Sequence, residues 1–193
     1  MNTYISILRG INVGGHKAIK MEALRQLCTE LGMQQVSTYI QSGNVVFRAE
    51  KTDEAQVSEQ IKTAIQAHFG YDVPVLTLKH ADLEQIAANN PFLSHAPKPT
   101  EYLHVVFLSE VPNAQKIDAI MAEKYDDDAL FLFGKTVYLY CPNGYGNTKL
   151  SNAFFEKKLG VQATTRNWKT TETLLRLATD LAQNQPSPPP TQP

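Results

Sequence analysis

The chain is poor in the features that mark whole classes of protein. It has two cysteines in 193 residues, too few for the disulfide framework of a small secreted domain. His16, His68, His80, His95 and His104 show no ligand spacing with one another or with Cys28 and Cys141, so no metal site is expected. No run approaches the ~18 apolar residues of a membrane span, and MNTYISILRG lacks the charged start and long apolar core of a secretory leader. Neither sign of charge is in excess. With 18 Lys and Arg against 19 Asp and Glu, there is no global field to draw in nucleic acid or an acidic membrane surface. Any anion site must be local. The expectation is a cytoplasmic protein with reduced, buried thiols, no cofactor and no membrane partner.

What is present is a regular alternation of patterns. TYISILR alternates β-branched and aromatic residues as a strand does, and Met21, Leu24, Leu27, Cys28 and Leu31 recur at helical spacing up to Gly32. VSTYIQ and NVVFRA are two β-rich runs joined through Ser42 and Gly43. A second helix, capped by Thr52 or Asp53, carries Val57, Ile61, Ala64, Ile65 and His68 on one face and ends at Gly70. VPVLTL is the next strand. After a connecting helix at His80–Asn90 and a proline-bearing linker at Pro91–Pro99, the order repeats. YLHVVFL is a strand, and Val111–Lys124 is a helix with Ile117, Ile120 and Met121 inward. ALFLF and TVYLYC form a hairpin about Gly134 and Lys135, a helix ends at Gly160, and VQATTR is the last strand. A final helix carries Leu174, Leu177, Ala178 and Leu181.

Two successive βαββαβ units predict an α+β fold of two tandem ferredoxin-like subdomains with antiparallel sheets, 1–90 and 91–184, plus a C-terminal helix. QNQPSPPPTQP has no side chain able to anchor a core, so 185–193 is expected to be a disordered Pro-rich tail.

Three polar clusters fall at the ends of these strands. In RGINVGGHK, Arg9 offers a bidentate fork, Gly14 and Gly15 offer backbone N–H groups without a Cβ in the way, Lys17 adds a point charge, and Asn12 lies between them. A tight turn needing positive φ explains the same glycines. In YIQSGN, Gln41, Ser42 and Asn44 are ordinary hairpin residues, yet the first and second strands of a βαββαβ unit end at the same sheet edge, so the two clusters can meet. In TTRNW, Thr165 or Asn167 can cap the last helix, Arg166 can pair with an acid on the other half, and Trp168 can cover the core. GYGNTK can present Tyr145, Asn147 or Lys149, although a solvated loop explains it as well. Neither the dinucleotide nor the P-loop glycine pattern is present.

RGINVGGHK with KMEAL, then TYIQSGNVVF, NGYGNTKLS and TTRNWKT, resemble in order the motifs of a bacterial family called domain of unknown function 1697, over roughly Thr3 to Ala182. The resemblance implies paired ferredoxin-like subdomains and carries no activity with it. His16 stands where similar proteins are expected to have Asn. The leading functional expectation is a binding module for a small anionic, phosphate-bearing ligand, held among Arg9, Asn12, Gly14, Gly15, Lys17, Gln41, Ser42, Asn44, Lys149, Arg166 and Asn167. An acylphosphatase-like phosphohydrolase, with Asn44 or Gln41 orienting a water, is one alternative. An RNA-binding sheet using Tyr4, Tyr39 and Phe47 is another. Against the last stand the neutral charge and the missing aromatic RNA-binding run.

Overall fold

The computed structural model describes residues 1–94 and 96–183; the expected tail lies outside them. Among the described residues the chain forms two four-stranded antiparallel sheets and six α-helices. The first sheet holds β1 (Asn2–Leu8), β2 (Gln34–Tyr39), β3 (Asn44–Ala49) and β4 (Val75–Lys79) in the order β2-β3-β1-β4. Helices α1 (Met21–Glu30) and α2 (Glu54–Phe69) connect them, and α3 (His80–Ala88) follows. The second sheet holds β5 (Leu103–Leu108), β6 (Ala129–Phe133), β7 (Thr136–Tyr140) and β8 (Ala163–Asn167) in the corresponding order β6-β7-β5-β8. Helices α4 (Ala114–Ala122) and α5 (Asn152–Leu159) connect these strands, and α6 (Trp168–Gln183) ends the described chain.

Strand side chains alternate between faces, and here both faces are covered. Tyr4, Leu8, Val45 and Phe47 pack under Leu24, Leu27, Val57 and Ile61 of α1 and α2. Val106, Leu108, Val137 and Leu139 pack likewise under Ile120, Phe155 and Leu159. The opposite faces meet each other: Ile5, Ile7, Val46 and Leu78 join Val105, Phe107 and Tyr138, with Leu83, Trp168 and Leu174 closing the layer. Burial on both sides is why VVF in the third strand and VVFL in the fifth read as short continuous apolar runs. Each large apolar side chain in this middle layer contributes about 1.5–3 kcal/mol, so the two sheets are held as one body.

The structure corrects several local expectations. Pro91–Pro99 is not a free linker, because Phe92 is buried in the middle layer and its N–H donates to Asn90 Oδ1 at 3.0 Å. His68 lies on the exposed side of α2, and Met121 on α4 is 42% exposed. The second strand stops at Tyr39, so its turn to β3 runs from Ile40 to Gly43.

Candidate functional site

All three polar clusters reach one end of the first sheet. The organiser of the first loop is Asn12: its Oδ1 accepts the Ile19 N–H at 2.8 Å, and its Nδ2 donates to Ile19 O at 2.9 Å and Gln41 O at 2.8 Å. A single carboxamide therefore ties the base of the Arg9–Lys20 loop to the β2–β3 turn, and the expected meeting of the first two clusters takes place through it. Beyond Asn12, the His16 N–H closes on Val13 O at 3.0 Å, with Gly14 and Gly15 at φ 57° and 79°. That is the backbone of a two-residue turn with left-handed central positions. Its four residues are exposed. The glycine amides thus sit on a protruding tip rather than in a concavity shared with Arg9, which corrects the geometry the sequence suggested.

Arg9 turns toward the second sheet. Its Nη1 donates to Glu156 of α5 and to Ala163 O at 2.8 Å, and Glu156 Oε1 also accepts the Ala163 N–H at 3.1 Å. Burial works to raise the Glu156 pKa, but the Arg9 guanidinium and the Ala163 N–H outweigh it and the net shift is downward. Both Arg9 bonds leave from Nη1, so the Nε and Nη2 edge of the fork points away from Glu156, on a side chain that is 30% exposed. Lys17 Nζ reaches Asp72 O, and the Arg9 N–H reaches Pro74 O at 3.0 Å. The backbone of Arg9 and the ammonium of Lys17 are thus tied to one short segment, while the two side-chain charges go to different partners.

The third cluster supplies the join between the sheets. From β8, Arg166 donates through Nε to Asn44 Oδ1 at 2.6 Å, through Nη2 to Leu8 O at 2.6 Å and Ser42 O at 3.0 Å, and through Nη1 to Thr165 O at 2.9 Å. The expected acid partner is absent among the described residues; the acceptors are carbonyls left over at strand ends and one carboxamide. Only a guanidinium offers donors in a fork wide enough for all of them. Burial pushes its pKa down to about 10, so it stays charged at neutral pH. Asn44 is fully buried, and its Nδ2 donates to Tyr39 O at 3.1 Å and Ser42 Oγ at 3.0 Å. With both ends engaged, Asn44 has no group turned to solvent for orienting a water.

Lys149 pairs with Asp126 on the surface at 3.1 Å and joins none of these groups. Asn167 caps α6, its Oδ1 accepting the Thr170 N–H at 2.8 Å. The structure adds residues the site reading lacked. Beside Glu156, Tyr145 donates to Thr165 Oγ1 at 3.0 Å, and Thr165 donates to Asn152 Oδ1 at 2.7 Å. The Tyr145 ring stacks on His104 with centroids 4.7 Å apart. Burial raises the Tyr145 pKa, while the Arg9 charge acts in the opposite sense, and burial lowers that of His104. No local signal marks Glu156, a polar helix residue among charged neighbours; the tyrosine was visible in GYGNTK without a reason to prefer it.

A cleft of about 510 Å³ opens elsewhere, between α3, β4 and the β6–β7 hairpin, walled by Leu76, Leu78, Ile86, Phe107 and Tyr138. None of the residues selected from sequence lines it. Glu54, which pairs with Lys79, and Asp82 and Lys135 line its polar side. The RNA-binding arrangement also fails on packing: Tyr4 and Phe47 are fully buried under the helices, and the opposite sheet face is covered by the second sheet.

The molecule is thus an α+β protein whose two sheets are locked at one end by a guanidinium reaching from the second into the first. It belongs to the family described as protein of unknown function (DUF1697), which matches residues 1–138. Among solved structures it is similar to the conserved bacterial protein SP0830 from Streptococcus pneumoniae, with 26% sequence identity and a TM-score of 0.71 over 92% of this chain and 98% of that one. No curated protein matches the chain. Among the described residues no helix is long and apolar enough to cross a membrane.

Proposed function

We propose that this protein is a binding module for a small anion of the phosphate class, held at the end of the first sheet by Arg9 and Lys17. One observation carries the reading: Arg9 is held by Glu156 and Ala163 O through Nη1 alone, on a side chain that is 30% exposed. The unspent Nε and Nη2 edge of Arg9 has the fork geometry that suits two oxygens of one anion. In this reading Asn12, Gln41, Ser42, Asn44 and Arg166 hold the scaffold rather than touch the ligand. Gly14 and Gly15 shape an exposed turn and do not touch the ligand.

The same reading takes the two units, 1–90 and 91–184, as tandem ferredoxin-like subdomains, supported by their matching strand orders. Two buried cysteines, their thiols pushed up to about 12 and about 11 by burial, suit a reducing compartment such as the cytoplasm.

Calorimetric titration with inorganic phosphate, pyrophosphate and a nucleoside monophosphate tests the binding. One of them should bind saturably, and Arg9→Gln should weaken it by roughly tenfold or more, as expected for loss of a charged hydrogen-bonded contact of about 1.5–3 kcal/mol. Equal heats for wild type and Arg9→Gln, or no saturable heat with any of the three, remove the proposal.

A further inference from the structure

The two sheets have four outer strands, and three of them are closed to pairing. β2 carries a register break between Gln34 and Ser37, with Gln35 at φ 51°. On β4, the Thr77 N–H donates to Ser58 Oγ at 2.9 Å and the Lys79 N–H to Asp82 Oδ2 at 3.3 Å. On β8, the Ala163 N–H and C=O are taken by Glu156 and Arg9, and Thr165 O by Arg166. These are the usual devices for blunting an edge. The fourth strand, β6, has none. Its sequence ALFLF is uncharged, and Phe131 and Phe133 are 46% and 78% exposed.

The phase of the hydrogen bonds shows which groups of β6 are open. The Leu108 N–H donates to Lys135 O at 2.9 Å, so Lys135, Val137 and Leu139 turn their backbone groups toward β5. Thr136, Tyr138 and Tyr140 turn theirs toward their register partners Phe133, Phe131 and Ala129. The N–H and C=O groups of Leu130 and Leu132 therefore point outward, and no hydrogen bond from a described residue reaches them on that side.

We propose that β6 is a self-association edge, where two copies of the chain pair β6 with β6 antiparallel and merge their second sheets. The strand is complementary to itself in one register. Centring the two-fold axis on Phe131 sets Leu130 opposite Leu132 of the second copy, so that the outward groups of both satisfy each other. It sets Ala129 opposite Phe133, small against large, and Phe131 opposite Phe131. An unrelated extended peptide would match the backbone groups but not this pairing of size. Contact through one short strand falls below the ~1,200 Å² of a standard interface, so the dimer is a weak one with a dissociation constant in the micromolar range.

Sedimentation equilibrium on the full chain tests this. Wild type should show a reversible monomer–dimer equilibrium, and Phe131→Lys should raise the dissociation constant by roughly tenfold or more. Should Phe131→Lys fail to fold, Leu132→Pro carries the test, because it removes an outward N–H at a position where an edge strand tolerates proline. Leu132→Pro should keep the fold and weaken the dimer by roughly tenfold or more. A chain that stays monomeric at every concentration, or a folded variant of either kind that dimerises as wild type does, overturns the proposal.

Discussion

The β2–β3 and β6–β7 hairpins occupy equivalent places in their sheets, and the fold treats them in opposite ways. Both accept a ladder bond from the neighbouring strand, Leu8 N–H to Gly43 O at 2.8 Å and Leu108 N–H to Lys135 O at 2.9 Å, but only the first is also seized by side chains: Arg166 holds Ser42 O and Asn44 Oδ1, and Asn12 holds Gln41 O. The second projects with no side chain holding its turn among the described residues, Phe133 being 78% exposed and nothing lying within 4 Å of where a Cβ on Gly134 would be. The same local chemistry, a glycine-bearing reversal between two apolar strands, becomes a rigid joint in one place and an open edge in the other. The difference lies in what arrives from distant parts of the chain.

Removing the joint should cost most. Arg166→Met strands Leu8 O, Ser42 O and Asn44 Oδ1 in a buried setting, and denaturant unfolding should show a loss of about 3–5 kcal/mol. Gly43→Ala comes next: at φ 76° its Cβ would lie 2.7 Å from Leu8 Cβ and from Ile11 Cδ1, which predicts a loss of about 2–4 kcal/mol. Gly134→Ala, at φ 57° in open space, should lose only about 1 kcal/mol. A ratio near one between the two glycine variants would erase the contrast between the hairpins.

Smaller still is the acid response of the joint. Because the folded Glu156 pKa is lowered on balance, its contribution is present above the ordinary carboxylate value and is lost as pH falls through the folded value. With Arg9 and Glu156 side chains 30% and 28% exposed, that contribution is no more than about 1 kcal/mol. The Glu156→Gln variant should therefore approach wild-type stability as pH falls from roughly 5 to 3, read by unfolding curves at each pH. Lys149→Ala, which breaks only a surface pair with both side chains more than 70% exposed, should leave stability within about 0.5 kcal/mol of wild type at any pH.

Local rules carried much of the architecture. Alternation, helical spacing and stop glycines located the eight strands and six α-helices of the described residues, though not all their ends or the three short 3-10 turns, because each is a property of a few neighbouring residues; the positions of His68 and Met121 went wrong where a face is decided by what packs on it. The site was legible as ingredients rather than as wiring. Asn12, Gln41, Asn44 and Arg166 stand in three separate stretches, and their convergence follows from strand direction, which topology supplies. That Arg9 would choose Glu156, and Arg166 a set of neutral carbonyls, depends on how the second sheet lies on the first. No spacing in the sequence encodes that packing, nor the cleft between the sheets.

The central claim is a division of labour between two arginines, Arg166 committed to the scaffold and Arg9 with one edge left for an anion. Nitrogen-15 spectra of the arginine Nε–H groups during a pyrophosphate titration resolve the two directly. The account predicts a saturable shift of the Arg9 resonance while Arg166, bonded to Asn44, stays in place; an unmoved Arg9, or an Arg166 that moves in its stead, contradicts it.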